Sequence, residues 1–287
     1  MSLANSFNPA CDWCQDGQNP FEYPVTMHEI GGVETMVTVA KAEAPIATIH
    51  FLKGFKSHPV FYKKFLEDMT QAGINVVLVT LPDPGQQINY MDDYESLAQA
   101  VFVDGEVDHL IDSTVPKIAA SHSTGGFLTM KLLTEDDKAK AISERYESTF
   151  SAAPFFGNKY HRLKLFGALA RLYSSLQSHV PVGTTWLERQ FSDAAGKHPK
   201  DIKMLANHRQ ALYMDTPTKD LMKHIRDHGF SKYADKINHT FMLGNTDLVS
   251  YNTLAQEVAL ELGAHVYTVD GGHSLVRKKP EGRDLVK

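Results

Sequence analysis

The stretch I-A-A-S-H-S-T-G-G-F at 118–127 contains a serine whose setting suits chemistry. Ser123 lies where an apolar run passes into a helical one, with Ser121 two positions before it and Gly125 two positions after. At a sharp strand-to-helix turn the central side chain projects above the sheet, and the turn closes only if those two neighbours are small. The pattern departs from G-x-S-x-G at its first position, where Ser121 stands in place of glycine. Gly125 and Gly126 let the following helix pack closely, and its positive N-terminal end faces a developing oxyanion.

A serine hydroxyl is a weak nucleophile at neutral pH and needs a base within hydrogen-bonding reach. Of the 14 histidines, His273 is the candidate, because the loop D-G-G-H-S around it follows the last strand signal and its glycines free the backbone to aim a side chain. The base in turn needs a carboxylate to fix its tautomer, and Asp247, in the loop after the preceding strand, is placed to supply it. His122 adjoins the serine with its ring directed away from the hydroxyl, and is assigned with Gly54 to the lining of the substrate site. An oxyanion hole of two backbone amides would draw one from Thr124 and one from Phe55, in the loop K-G-F-K-S-H-P at 53–59.

These residues need a scaffold that brings strand ends together. Two β-like stretches at 25–30 and 33–39, separated by Gly31-Gly32, predict an antiparallel hairpin. Strands then alternate with helices: strand 46–52, helix 60–72, strand 74–80, helix 91–112, strand 117–121, helix 125–133 and strand 148–152. The runs IATIHFL and INVVLVTL are almost continuously apolar, as expected where helices cover both faces of a parallel sheet. From 155 to 230 strand signal stops, and it resumes at 237–243 and 265–269 around a helix at 253–262. The expected fold is α/β, a doubly wound, mostly parallel sheet, with a core over 23–154 and 231–287, a helical cap over 155–230 and an N-terminal extension over 1–22.

Composition narrows the partners. A formal net charge of −5 and no dense Lys/Arg run argue against nucleic acid or an anionic membrane. No secretory signal is visible, and nothing approaches the roughly 18 apolar residues of a membrane span, so a cytoplasmic location is expected. Cys11 and Cys14 form a CxxC pair without a second pair to complete a metal site, and read as thiols of the extension. His224 and His228 have the i, i+4 spacing of a chelating pair, but no third ligand is evident. No phosphate-cradling glycine loop occurs, and neither metal nor other cofactor is expected. An apolar stripe over 160–180, including Leu163, Phe166, Leu169 and Leu172, would pack the cap onto the main domain, cover an acyl chain or touch a membrane surface.

With these motifs the chain resembles the α/β-hydrolase superfamily, and more narrowly the monoacylglycerol lipase and lysophospholipase-like serine hydrolases. The resemblance rests on H-S-x-G-G at 122–126, Gly54 with Phe61-Tyr62 following it, Ser151-Ala152-Ala153-Pro154, Gly244-Asn245-Thr246-Asp247 and Gly271-Gly272-His273, and covers 25–277. The chain order Ser, Asp, His is that of this fold. Two loops depart from it: Lys53-Gly54 stands where His-Gly is usual, and Pro82-Asp83-Pro84-Gly85-Gln86 where an Arg-Gly-His-Gly type is usual. A serine, not an aspartate, as nucleophile argues against the dehalogenase and epoxide hydrolase relatives. The resemblance implies a carboxylic-ester hydrolase acting through an acyl-enzyme on a small-molecule ester, with lipid-type or acylglycerol esters among the candidates. The alternatives are triad chemistry on amides, thioesters or carbon–carbon bonds, acyl transfer, or a binding protein that keeps the scaffold without catalysis.

Overall fold

The computed structural model describes residues 23–54, 59–82, 90–111, 114–157, 215–247, 249–273 and 275–276. The N-terminal extension with Cys11 and Cys14, and most of the stretch read as a cap, lie outside them. Eight strands form one sheet: β1 (Val25–Ile30), β2 (Val33–Ala40), β3 (Ala47–Leu52), β4 (Ile74–Val79), β5 (Lys117–His122), β6 (Ser148–Ala152), β7 (Asn238–Gly244) and β8 (His265–Val269). Their order across the sheet is β1-β2-β4-β3-β5-β6-β7-β8. β1 and β2 pair antiparallel, β2 joins β4 antiparallel, and every pair from β4 to β8 is parallel. The expected mostly parallel sheet with an antiparallel N-terminal hairpin is therefore observed.

The hairpin follows from its turn. Gly31 and Gly32 have φ of 59° and 73°, a conformation that side-chain-bearing residues rarely adopt, and Ile30 pairs directly with Val33 across the two-residue loop. In the middle of the sheet, adjacent residues of one strand enter different cores. Val76 and Leu78 pack with Phe51, Tyr62 and Leu66, whereas Val77 and Val79 pack with Leu97, Val101 and Phe127. Alternation of side chains across a strand buried on both faces requires this, and it explains why the apolar runs are unbroken.

Six α-helices flank the sheet among the described residues: α1 (Lys63–Gln71), α2 (Tyr90–Gln99), α3 (Thr124–Leu132), α4 (Asp136–Arg145), α5 (Asp215–His228) and α6 (Asn252–Glu261). The helix expected over 91–112 is shorter than that. α2 continues into a π turn at Ala100–Asp104 and ends at Gly105, whose φ is 74°. A side chain at Gly105 would also overlap the Arg145 guanidinium. In α5, Leu221, Met222 and Ile225 join the same apolar cluster as Leu133, Ala234 and Leu254. No helix among the described residues is long and apolar enough to cross a membrane.

One polar cluster interrupts this apolar layer. His50, wholly buried on β3, lies 2.8 Å through Nδ1 from the Tyr146 hydroxyl, which donates to the Val101 carbonyl at 3.2 Å. Asp108 faces the other ring nitrogen at 3.7 Å and binds Lys117 and Arg145 at 2.8 and 2.6 Å. Burial pushes the His50 imidazole down from 6.5 to about 4, against the opposing pull of Asp108. Burial also works against ionisation of Asp108, but the hydrogen bonds from Lys117 and Arg145 outweigh it and hold its carboxyl below the ordinary range.

A folded-state value below the unfolded one means that the unfolded chain binds more protons, so stability rises with rising pH and is lost as the pH falls. For His50 the contribution is complete above about pH 6.5 and is lost as the pH falls to about 4, amounting to about 3 kcal/mol over that window. The expected result is a urea midpoint lower at pH 4.5 than at pH 7, with part of the difference removed in His50→Gln. Buried His239 is lowered in the same direction by its own burial, so the informative quantity is the wild-type minus variant difference. An identical pH dependence in both proteins counts against the assignment.

Candidate active site

The chain runs from β3 to β4 on one side and later returns to β5 on the other, so the strand order reverses between β3 and β5. In open α/β sheets such a reversal leaves a crevice beyond the C-terminal strand ends. The strand ends that flank the reversal here lead into Lys53 and Gly54 after β3 and into Ser123 after β5.

Ser123 joins β5 to α3 with φ 56° and ψ −120°, outside the common regions for a residue with a side chain. Its surroundings hold it there. The Ser123 amide donates to the Ala152 carbonyl at 3.1 Å, and its own carbonyl accepts from the amides of Gly126 and Phe155, each at 2.9 Å. Close packing explains the glycines. A Cβ on Gly125 would lie 2.3 Å from the Leu52 carbonyl oxygen, one on Gly126 2.7 Å from Pro154 Cβ, and one on Gly54 2.8 Å from Ser123 Cβ. Ser121 fits where glycine is more usual, because its hydroxyl lies 3.0 Å from that of Ser151 on the neighbouring strand.

The loops after β7 and β8 are joined to each other. The amides of Asn245 and Thr246 donate to Val269 and Gly271, and the Asn245 side chain accepts from the Gly271 amide at 3.2 Å. Gly244 makes this approach possible, since a Cβ there would fall 2.4 Å from the Gly271 carbonyl oxygen. Together the loops carry Asp247 to His273. Asp247 Oδ2 lies 2.9 Å from His273 Nδ1, and His273 Nε2 lies 2.7 Å from Ser123 Oγ. Asp247 Oδ1 accepts from the amides of Val249 and Ser250 at 2.8 and 2.9 Å, which fixes the carboxylate plane.

A carboxylate only accepts, so the proton of a neutral His273 resides on Nδ1 and the bare Nε2 faces the serine hydroxyl. Proton transfer from Ser123 to His273 is thus geometrically prepared. Asp247 and His273 are enclosed, while Ser123 keeps 8% of its surface exposed. Thr124 opens α3, and first-turn amides have no partner within their helix. The Thr124 amide is accordingly a donor at the positive end of that helix, beside the nucleophile candidate. Phe55, the other expected oxyanion donor, lies outside the described residues.

Two assigned residues stand differently from the expectation. His122 is fully buried, with both ring nitrogens engaged by protein partners, so it does not line a surface that a substrate could touch. Gly54 does border the nucleophile, but by close backbone packing. Lys53, at one of the atypical loops, turns inward: it is wholly buried, with Nζ 5.9 Å from the centre of the Tyr62 ring. Tyr62 itself carried no assigned role; a tyrosine at the start of a helix gives no local signal of its partners. The His224 and His228 rings lie 5.0 Å apart on α5, and among the described residues no group of three potential metal ligands occurs. Asp83–Gln86 and the stripe at 160–180 lie outside the described residues.

No protein-family model matches the sequence, and no curated protein matches it. Solved structures do. The chain is similar to a soluble variant of monoglyceride lipase from Saccharomyces cerevisiae in complex with a substrate analog, at 10% identity and TM-score 0.59, covering 91% of this chain and 89% of that one. It is also similar to a thioesterase domain from the curacin biosynthetic pathway, at 13% identity and TM-score 0.51, covering 89% and 95%. A highly thermostable carboxyl esterase from Bacillus coagulans, in complex with glycerol, gives 13% identity and TM-score 0.51, covering 87% and 90%. At these identities the likeness is one of fold, and the fold is that of the α/β-hydrolases.

Proposed function

We propose that this chain, on its α/β-hydrolase fold, is a serine hydrolase that cleaves carboxylic esters through an acyl-enzyme. The observation that carries the reading is the unbroken hydrogen-bonded line from Asp247 through His273 to Ser123, lying at the strand-order reversal. Ser123 Oγ attacks the ester carbonyl carbon as its proton passes to His273 Nε2, and Asp247 stabilises the imidazolium. The oxyanion is held by the Thr124 amide, with Phe55 as the second donor. Collapse expels the alcohol, which takes the proton from Nε2. Water, deprotonated by the same nitrogen, then releases the acid. The similar structures, a monoglyceride lipase, a thioesterase domain and a carboxyl esterase, support acyl transfer to water, and the lipase supports an acylglycerol-type ester as the first to try.

The test is a fluorophosphonate probe on the folded protein, followed by p-nitrophenyl esters of increasing chain length with one thioester and one amide alongside. Covalent labelling at Ser123 and turnover of one or more esters are expected. Turnover of the thioester or amide without any ester overturns the ester assignment. Absence of labelling overturns the serine-hydrolase reading and favours a binding role for the scaffold.

A further inference from the structure

His122 is a buried imidazole beside the nucleophile that the acyl-transfer steps leave unused. Its Nε2 lies 2.8 Å from the carbonyl oxygen of His273. A carbonyl only accepts, so Nε2 carries the proton; in the neutral ring Nδ1 is then an acceptor, and the Tyr62 hydroxyl, 3.1 Å away, donates to it. Tyr62 is in turn fixed edge-on to Phe51, with ring centres 5.6 Å apart, and beneath Lys53. Tyr62, His122 and His273 are all within 1% of complete burial, so these bonds form where water does not compete.

The placement of the bond gives it a consequence for the reaction. His273 follows Gly271-Gly272, which leave its main chain the widest conformational choice. Asp247 and Ser123 hold the ring, but neither holds the backbone of the residue. The His122 bond does, and His122 is covalently joined to Ser123. One end of the tie is therefore fixed to the nucleophile and the other to the main chain of its base.

We propose that His122 is a positioning residue: its hydrogen bond to the His273 carbonyl, in the tautomer that this carbonyl requires and the Tyr62 hydroxyl complements, holds the base at proton-transfer distance from Ser123. The proposal rests on the reading of Ser123 as nucleophile and His273 as base. His122→Phe keeps a ring of similar size and removes both bonds. Because small misplacements of a reacting group are costly, kcat and the fluorophosphonate labelling rate should fall about 10- to 100-fold while KM stays within about twofold. His122→Gln can offer an amide N–H to the same carbonyl and should restore most of the rate. Tyr62→Phe removes the donor to His122 Nδ1, leaves the bond to the His273 carbonyl, and should cost a smaller factor, about 3- to 10-fold.

A double-mutant cycle with Asp247→Asn separates positioning from scaffolding. Both residues act through His273, so His122→Phe should cost little further rate once Asp247 is replaced, whereas its effect on thermal unfolding should be the same in both backgrounds. Should His122→Phe fail to fold, Tyr62→Phe carries the same cycle. Wild-type labelling rates in His122→Phe and Tyr62→Phe, or rate losses that simply add to that of Asp247→Asn, overturn the proposal. An unlabelled wild-type protein instead overturns the function on which it rests.

Discussion

Replacing Ser123 by alanine is expected to abolish fluorophosphonate labelling and to lower ester turnover by on the order of 10⁶, the loss seen when a triad nucleophile is removed elsewhere. The substitution deletes one oxygen from a residue that keeps only 8% of its surface exposed, so the structural disturbance is small. The main-chain bonds that hold the turn, from the amides of Gly126 and Phe155 to the residue 123 carbonyl, do not involve the side chain. Loss of turnover should therefore come with an unfolding temperature at or slightly above that of the wild type, as is common when a strained, desolvated site group is removed. Turnover that persists within about tenfold of wild type would require another nucleophile and would remove Ser123 from the mechanism.

The geometry behind that expectation was partly legible in the residues. Val76 and Val77, adjacent and both buried in different cores, show why a run such as I-N-V-V-L-V signals a parallel strand between two helical layers. The turn at Ser123 was readable because its constraint is steric: Gly125 has the Leu52 carbonyl oxygen where a side chain would begin, and only a small residue fits. Other features carried weaker signals. α4 buries only Ala139 and Ile142, too few for a clear apolar stripe. Before its end at Gly105, α2 passes into a π turn at Ala100–Asp104, for which no single residue gives a local signal.

Polar contacts at the site were the least legible part. The bonds of His122 join residues 60 and 151 positions apart, and nothing in the local sequence distinguishes a ring that ties two loops from one that faces a substrate. The same holds for His50, whose partners Tyr146 and Asp108 come from separate connections. Backbone pattern is set by neighbours in sequence, whereas the environment of a buried imidazole is set by tertiary packing.

Asp247→Asn should lower kcat by on the order of 10⁴ with little change in stability, and the particular bonds of Asp247 explain the size of the loss. Its Oδ1 accepts two main-chain amides, from Val249 and Ser250, and Oδ2 accepts His273 Nδ1–H. An asparagine has one oxygen to offer. If that oxygen stays under the two amides, its NH2 points at His273 Nδ1 and forces the ring into the other tautomer. Nε2 then carries a proton toward Ser123 Oγ, 2.7 Å away, and can no longer accept one. Turning the asparagine over would keep the useful tautomer but face two buried amides with a donor, at a cost of about 1–3 kcal/mol for each. The inactive tautomer is therefore the favoured one. Steady-state turnover measures the loss, and the imidazole nitrogen resonances of His273 report the tautomer. A near-wild-type rate, or a His273 ring still protonated at Nδ1, would remove Asp247 from its orienting role.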